Sequence, residues 1–149
     1  MRYIGDGSPG DLEAARSSVE RAAGYWTTDG CGPFSVVRRE DGRVVGRAGF
    51  LSWDPATWQP GARAEIGEQA VLEVGWMLAP AHWGRGYATE AARACVDWAW
   101  RDLRPRRLIS LIHADNARSI KVAERLGAMP GETIVTFRGI PATVWEHPE

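Results

Sequence analysis

The stretch Leu72 to Ala92, LEVGWMLAPAHWGRGYATEAA, combines residue types that can hold a phosphate. An apolar strand runs into a Pro-broken turn, glycines space the loop, and the helix that follows opens on small residues. Backbone N–H groups at a helix N-terminus have no intrahelical partner, so they point toward whatever anion sits there. Three phosphate loops compete for this stretch. A Walker A loop requires a lysine directly after its last glycine, and Tyr87 follows Gly86. A dinucleotide fingerprint requires a third glycine where Thr89 stands and an acid ending the next strand about 20 residues on, but here that strand ends too far along, at His113-Ala114-Asp115. The third kind of loop, which needs neither that lysine nor that third glycine, is the one these residues leave open.

The elements that must position this loop are readable on either side of it. Ser8-Pro9-Gly10-Asp11 reads as a helix start, Ser8 the cap and Pro9 the first helical residue, with the helix running to Trp26 before the Asp29-Gly30 turn. Strands are expected at 34–39 and 43–53 around an Asp41-Gly42 hairpin turn, then a loop over 54–64 and a long, bulged strand over 66–78. A helix over 86–102 carries Ala88, Ala91, Ala92, Cys95 and Ala99 as a small-residue stripe and Arg93, Asp97 and Arg101 on its wet face. A strand at 107–113, a helix at 116–126 stopped by Gly127, and strands at 133–138 and 142–146 complete the order. The unit following the long strand is β-α-β, so 66–78 and 107–113 should pair in parallel within an otherwise antiparallel sheet. The fold class is a mixed α/β sheet with flanking helices, a single domain over residues 1–149.

Composition narrows the function classes. Apolar residues make up 44% and charged residues 25%, and the net charge is −1, so the chain as a whole offers no electrostatic footprint for nucleic acid or a membrane surface. Two cysteines are too few for a disulfide framework or a thiolate metal cluster, and no metal is expected. With neither a signal-peptide core nor a membrane-spanning run, a cytoplasmic protein is the expectation.

Trp83-Gly84-Arg85-Gly86-Tyr87-Ala88 resembles the Q/R-x-x-G-x-G/A loop of the GNAT superfamily of N-acetyltransferases, with Trp83 in the first key place and Gly86 and Ala88 in the last two. The Trp form is typical of the Rim-type branch, the ribosomal-protein N-terminal acetyltransferases. Asp115-Asn116-Ala117-Arg118-Ser119-Ile120, closing with Glu124-Arg125-Leu126-Gly127, is similar to that branch's N-x-x-S helix, and Glu73-Val74-Gly75-Trp76 to its E-[IV]-G-[YW] strand. The resemblance covers about Phe34 to Trp145.

It implies acetyl-CoA as co-substrate and direct acetyl transfer to a primary amine, either a protein N-terminus or a small molecule. Backbone donors around Trp76, Met77 and Leu78 would hold the acetyl oxygen and pantetheine, and amides from Trp83 through Gly84, Arg85, Gly86, Tyr87 and Ala88 to Thr89 the pyrophosphate. Asn116 would cap its helix and bind the pantetheine arm, and Ser119 would protonate the leaving thiolate. Glu73, on one strand face with Gly75 and Met77, is either the base that takes the amine proton or an acid that binds a cationic substrate. His82, beside the loop, and His113, at a strand end, are expected to be structural or exposed. Trp26, Trp53, Trp58 and Trp145 would wall the acceptor site. Family members begin with a further strand and helix, so the sheet is expected to lack its first strand and to need cover at that edge, as a homodimer would provide. A non-catalytic acyl-CoA sensor is the competing reading; it would keep the loop and Asn116 without depending on Glu73 or Ser119.

Overall fold

A computed structural model describes residues 11–149. Helix α1, Leu12–Asp29, opens under Asp11, whose Oδ1 accepts from the Ala14 amide at 2.8 Å, and stops at Gly30, where φ is +67°. The expected cap at Ser8 and start at Pro9 lie outside the described residues, and the helix continues past Trp26 by one further turn.

Seven strands follow: β1 Pro33–Val37, β2 Val44–Asp54, β3 Gln59–Pro60, β4 Val71–Leu78, β5 Leu108–Ile112, β6 Met129–Val135 and β7 Pro141–Glu146. They form one sheet in the order β1-β2-β4-β5-β7-β6, with the two-residue β3 attached to β2. Among the described strands only β4 and β5 pair in parallel, as the β-α-β order requires. Among the described residues β1 is the outer strand on its side, with Phe34 and Val37 exposed.

Several expected boundaries move for local reasons. The first hairpin ends earlier than expected because Asp41 pairs with Arg38 and accepts from the Arg43 amide at 3.2 Å, taking residues 38–43 into the turn. Residues 66–70 are not strand. Arg63–Ile66 forms a single helical turn, α2, with the Arg63 amide donating to Asp29 Oδ1 at 3.0 Å, and Gly67 at φ +86° ends it. The bulge expected in 66–78 is absent from the β2–β4 ladder, which runs unbroken from Gly46↔Leu78 to Trp53↔Val71. Gly46 lies so close to this ladder that a Cβ would collide with the Met77 carbonyl oxygen. After β4 comes α3, Tyr87–Trp98; its last expected turn is a π-helical one, Ala99–Leu103, ended by Arg104 at φ +46° just before Pro105. The last helix, α4, is Ala117–Arg125. β6 starts four residues before its expected place, with an irregular register between Pro130 and Thr133.

The small-residue stripe of α3 lies as expected. Ala92, Cys95 and Ala99 are buried against Phe50, Leu72, Val74 and Leu108, and α4 adds Val122 and Leu126 to the same core. Val71, Ile109, Ile134, Ala142 and Val144 form a second core. By contrast α1 buries none of its residues, so it lies on the molecule as a half-exposed layer.

Candidate active site

The site begins where β4 and β5 part. Their pairing consists of Leu72↔Leu108 and Glu73↔Ile109, and the strands then diverge, so side chains meet backbone groups that the ladder leaves over. The Ser110 hydroxyl donates to the Val74 carbonyl at 2.6 Å. Its oxygen then accepts from Nε2 of His147 at 2.9 Å, which assigns the ring proton to Nε2. Burial pushes His147 down to about 4, so the ring is neutral. The Leu111 amide donates to the Glu73 carboxylate.

Glu73 receives a second donor, the indole N–H of Trp53, at 2.6 Å from Oε2. Burial nevertheless dominates and pushes this carboxyl up to about 7, against the lowering effect of the two hydrogen bonds. Near neutral pH it is therefore divided between carboxylate and acid, the condition that suits a general base.

Peptide groups alternate sides along β4. Leu72 N–H bonds Arg107 O on the β5 side, so Val74, Trp76 and Leu78 also direct their peptide groups into the opening. Met77 directs its own toward β2, as its proximity to Gly46 shows, and only its side chain faces the cavity. Of the three residues expected to supply backbone donors, Met77 is thus turned away.

Past β4, Pro80–His82 forms a short 3₁₀ turn and the glycine loop follows. Gly84 and Gly86 sit at φ +73° and +82°, a backbone region that other residues enter at a cost, and they aim the first amides of α3 outward. With Gly86 as N-cap, Glu90 N–H makes the first helical bond, which leaves the amides of Tyr87, Ala88 and Thr89 for an anion. Trp83 anchors the loop instead of donating from its backbone. Its amide bonds Pro80 O at 3.2 Å, its indole N–H bonds Leu78 O at 2.8 Å, and the Arg118 guanidinium stacks 4.2 Å above its ring.

A cavity of about 360 Å³ lies between α1 and the splayed sheet. Glu73, Gly75 and Met77 line it from β4, and Arg47, Gly49 and Leu51 from β2. Ser18, Arg21, Ala22 and Tyr25, one face of α1, line it from above. Its far wall includes His113, Asn116 and Ser119. Asn116 caps α4, its Oδ1 accepting from the Ser119 amide at 3.2 Å, and its amide nitrogen is left to donate. Glu73, Trp76, Met77, Asn116 and Ser119 thus share one cavity, while Trp83–Thr89 lie beyond the end of β4.

The expected tryptophan wall is not there. Trp53 is buried on Glu73, Trp145 is buried in the core, Trp58 packs on the second core, and Trp26 stacks with Phe34 and Trp98. Packing against neighbouring side chains holds all four, two of them buried and two half-buried. His82 stays in its turn, but His113 reaches the cavity. Sequence reasoning also passed over Arg21, Tyr25 and Arg47. The i, i+3, i+4, i+7 spacing of 18, 21, 22 and 25 and the alternation of 47, 49 and 51 were the available signals. Both cysteines are buried and their thiols pushed up, Cys95 to about 11, so neither is an activated nucleophile.

The described sheet thus splays at its one parallel pair, and a helix start with free amides lies at the end of the same strand. The family model for the acetyltransferase (GNAT) domain matches residues 1–129, and the chain belongs to the GNAT acetyltransferase family. It is 44% identical over 83 residues to protein YkkB of Bacillus subtilis, covering 56% of this chain and 48% of that one. It is 28% identical over 116 residues to the N-acetyltransferase p20 of Bacillus licheniformis, covering 78% and 58%. The chain thus spans about half the length of these curated relatives. An acetyltransferase structure from Agrobacterium tumefaciens superposes with a TM-score of 0.75 at 28% identity, covering 99% of this chain and 78% of that one. An aminoglycoside acetyltransferase solved with coenzyme A shares the fold, with a TM-score of 0.62 at 21% identity over 83% of this chain and 69% of that one. No described helix is long and apolar enough to cross a membrane.

Proposed function

We propose that this domain transfers the acetyl group of acetyl-CoA directly to a primary amine, on a protein N-terminus or a small molecule. The observation that carries the reading is the Glu73 carboxyl, pushed up to about 7 and facing the same cavity as Ser119, at the head of a strand that leads to the glycine loop. The amides of Tyr87, Ala88 and Thr89, with Arg85 beside them, receive the pyrophosphate. The amides of Trp76 and Leu78 receive the pantetheine and the acetyl oxygen, and Asn116 donates to the same arm.

Glu73 takes the proton of the incoming ammonium, and the neutral nitrogen attacks the thioester carbon. The charge that develops on the carbonyl oxygen is stabilised by backbone N–H in the opening of the sheet. As the C–N bond replaces the C–S bond, Ser119 Oγ–H protonates the departing thiolate and is re-protonated by the second proton that the nitrogen sheds in becoming an amide, while Glu73 releases the first to solvent. No enzyme side chain is acylated, in keeping with the raised thiols of Cys31 and Cys95.

A homodimer that covers β1 rests on the exposure of Phe34 and Val37 and is checked by sedimentation velocity. Calorimetric titration with acetyl-CoA, followed by thiol release against a panel of amines, tests the main reading. Glu73→Gln and Ser119→Ala should each lower turnover by about 10²-fold or more with acetyl-CoA affinity nearly intact. Binding without thiol release from any amine supports the non-catalytic sensor in place of the enzyme.

A further inference from the structure

We propose that the acceptor carries an anionic group as well as its amine, a carboxylate or phosphate received by Arg21 and Arg47. The proposal rests on the transferase reading above and adds the substrate class. Arg21 lies on the inner face of α1, with Ser18, Ala22 and Tyr25, and Arg47 on the cavity face of β2. Arg47 Nη1 lies 3.4 Å from Ser18 Oγ, so the two elements meet at this end of the cavity. Among the described residues neither guanidinium is ion-paired; the ion pairs all involve other side chains. Among the described residues the only carboxylate lining the cavity is Glu73.

One end of the cavity therefore carries two permanent positive charges and the other a single proton acceptor. A polyamine or aminoglycoside would bring its further ammonium groups against the guanidiniums. An amine with an anionic group complements both ends, and guanidinium binds carboxylate and phosphate in a bidentate manner. In the β2–β4 ladder Arg47 faces Met77 and Leu51 faces Glu73, four residues apart. That is about 13 Å along the strand, less the reach of the arginine side chain. An anionic group set a few bonds from the amine spans it. A peptide N-terminus with an acidic residue at its second position fits it.

The test uses tripeptide amides that begin with serine and differ only at the second residue (glutamate, glutamine or lysine), with spermidine as a polycationic control. Thiol release from acetyl-CoA is the readout. The glutamate peptide should exceed the lysine peptide about tenfold or more in kcat/KM, with the preference weakening at high salt. Arg47→Gln and Arg21→Gln should remove the preference through the peptide's KM, leaving the KM of acetyl-CoA within about twofold and the circular dichroism unchanged. Preference for the lysine peptide or spermidine overturns the proposal. So does a rise in the KM of acetyl-CoA in Arg47→Gln, which would assign the guanidinium to the coenzyme's phosphates. Thiol release from no amine, with acetyl-CoA bound, overturns the transferase reading, and the proposal falls with it.

Discussion

Replacing Trp53 by Phe isolates one hydrogen bond to the group proposed as the base. The indole N–H donates to Glu73 at 2.6 Å, and phenylalanine keeps an aromatic ring at this buried position while removing the donor. A hydrogen bond to a charged acceptor contributes about 1.5–3 kcal/mol, equivalent to a pKa change of about one to two units. The bond favours the ionised form, so its loss moves the Glu73 carboxyl upward from about 7. At pH 7 the ionised fraction then falls from about half to between about 9% and 1%, a loss of about 5- to 50-fold in kcat/KM. The loss should reverse as the pH is raised above 9. The assay is the pH profile of kcat/KM with one acceptor for both proteins, so that ionisation of the acceptor amine is common to the two. An acid limb that stays in place in Trp53→Phe would refute the hydrogen bond's role in setting the base. An acid limb that persists in Glu73→Gln would instead refute Glu73 as the base.

Three more outcomes follow from the same structure. The folded-state pKa of Glu73, about 7, stands above its ordinary 4.5, so ionising it opposes folding: stability falls as pH rises from 4.5 to 7 and levels off above. Glu73→Gln should therefore be more stable than the parent at pH 8, by up to about 3 kcal/mol in urea unfolding, with no advantage at pH 4. His147 is depressed to about 4 from 6.5, so its contribution is whole above pH 6.5 and is lost as pH falls toward 4; His147→Gln should show a shallower decline of Tm across that window. Gly86→Val places a β-branched residue at φ +82°, where a Cβ meets nothing within 4 Å, so the strain lies in the backbone. It should abolish calorimetric acetyl-CoA binding with little change in circular dichroism, and unchanged affinity would sink the loop assignment.

The order of elements and the parallel unit were legible because they rest on local signals: the glycine stops at Gly30 and Gly127, the Asn116 cap and the small-residue stripe of α3. The opening of the sheet was only partly legible. A bulge is expected within 66–78, but Gly67 ends the α2 turn and the ladder with β2 is regular. The departure lies between β4 and β5, where Ser110 and Glu73 bond the backbone groups of the neighbouring strand, and no spacing within either segment encodes it. The tryptophans were misplaced because a count of aromatic residues does not tell which surface they cover. Arg21 and Arg47 belong to an ordinary amphipathic helix and an ordinary alternating strand, and only their meeting across the cavity sets them apart.

Trp83 gives the molecule a built-in optical probe. All eight tryptophans lie in the described residues, and Trp83, at 47% exposure, is the one left widely open to solvent. A water-soluble quencher such as iodide should therefore act first on the glycine loop and reach the other seven indoles slowly. Its stacked Arg118 raises the local iodide concentration and sharpens that selectivity. Occupation of the loop by a phosphate would exclude the quencher, so the fraction of emission accessible to iodide becomes a titration signal for the loop, with no label attached and no turnover required.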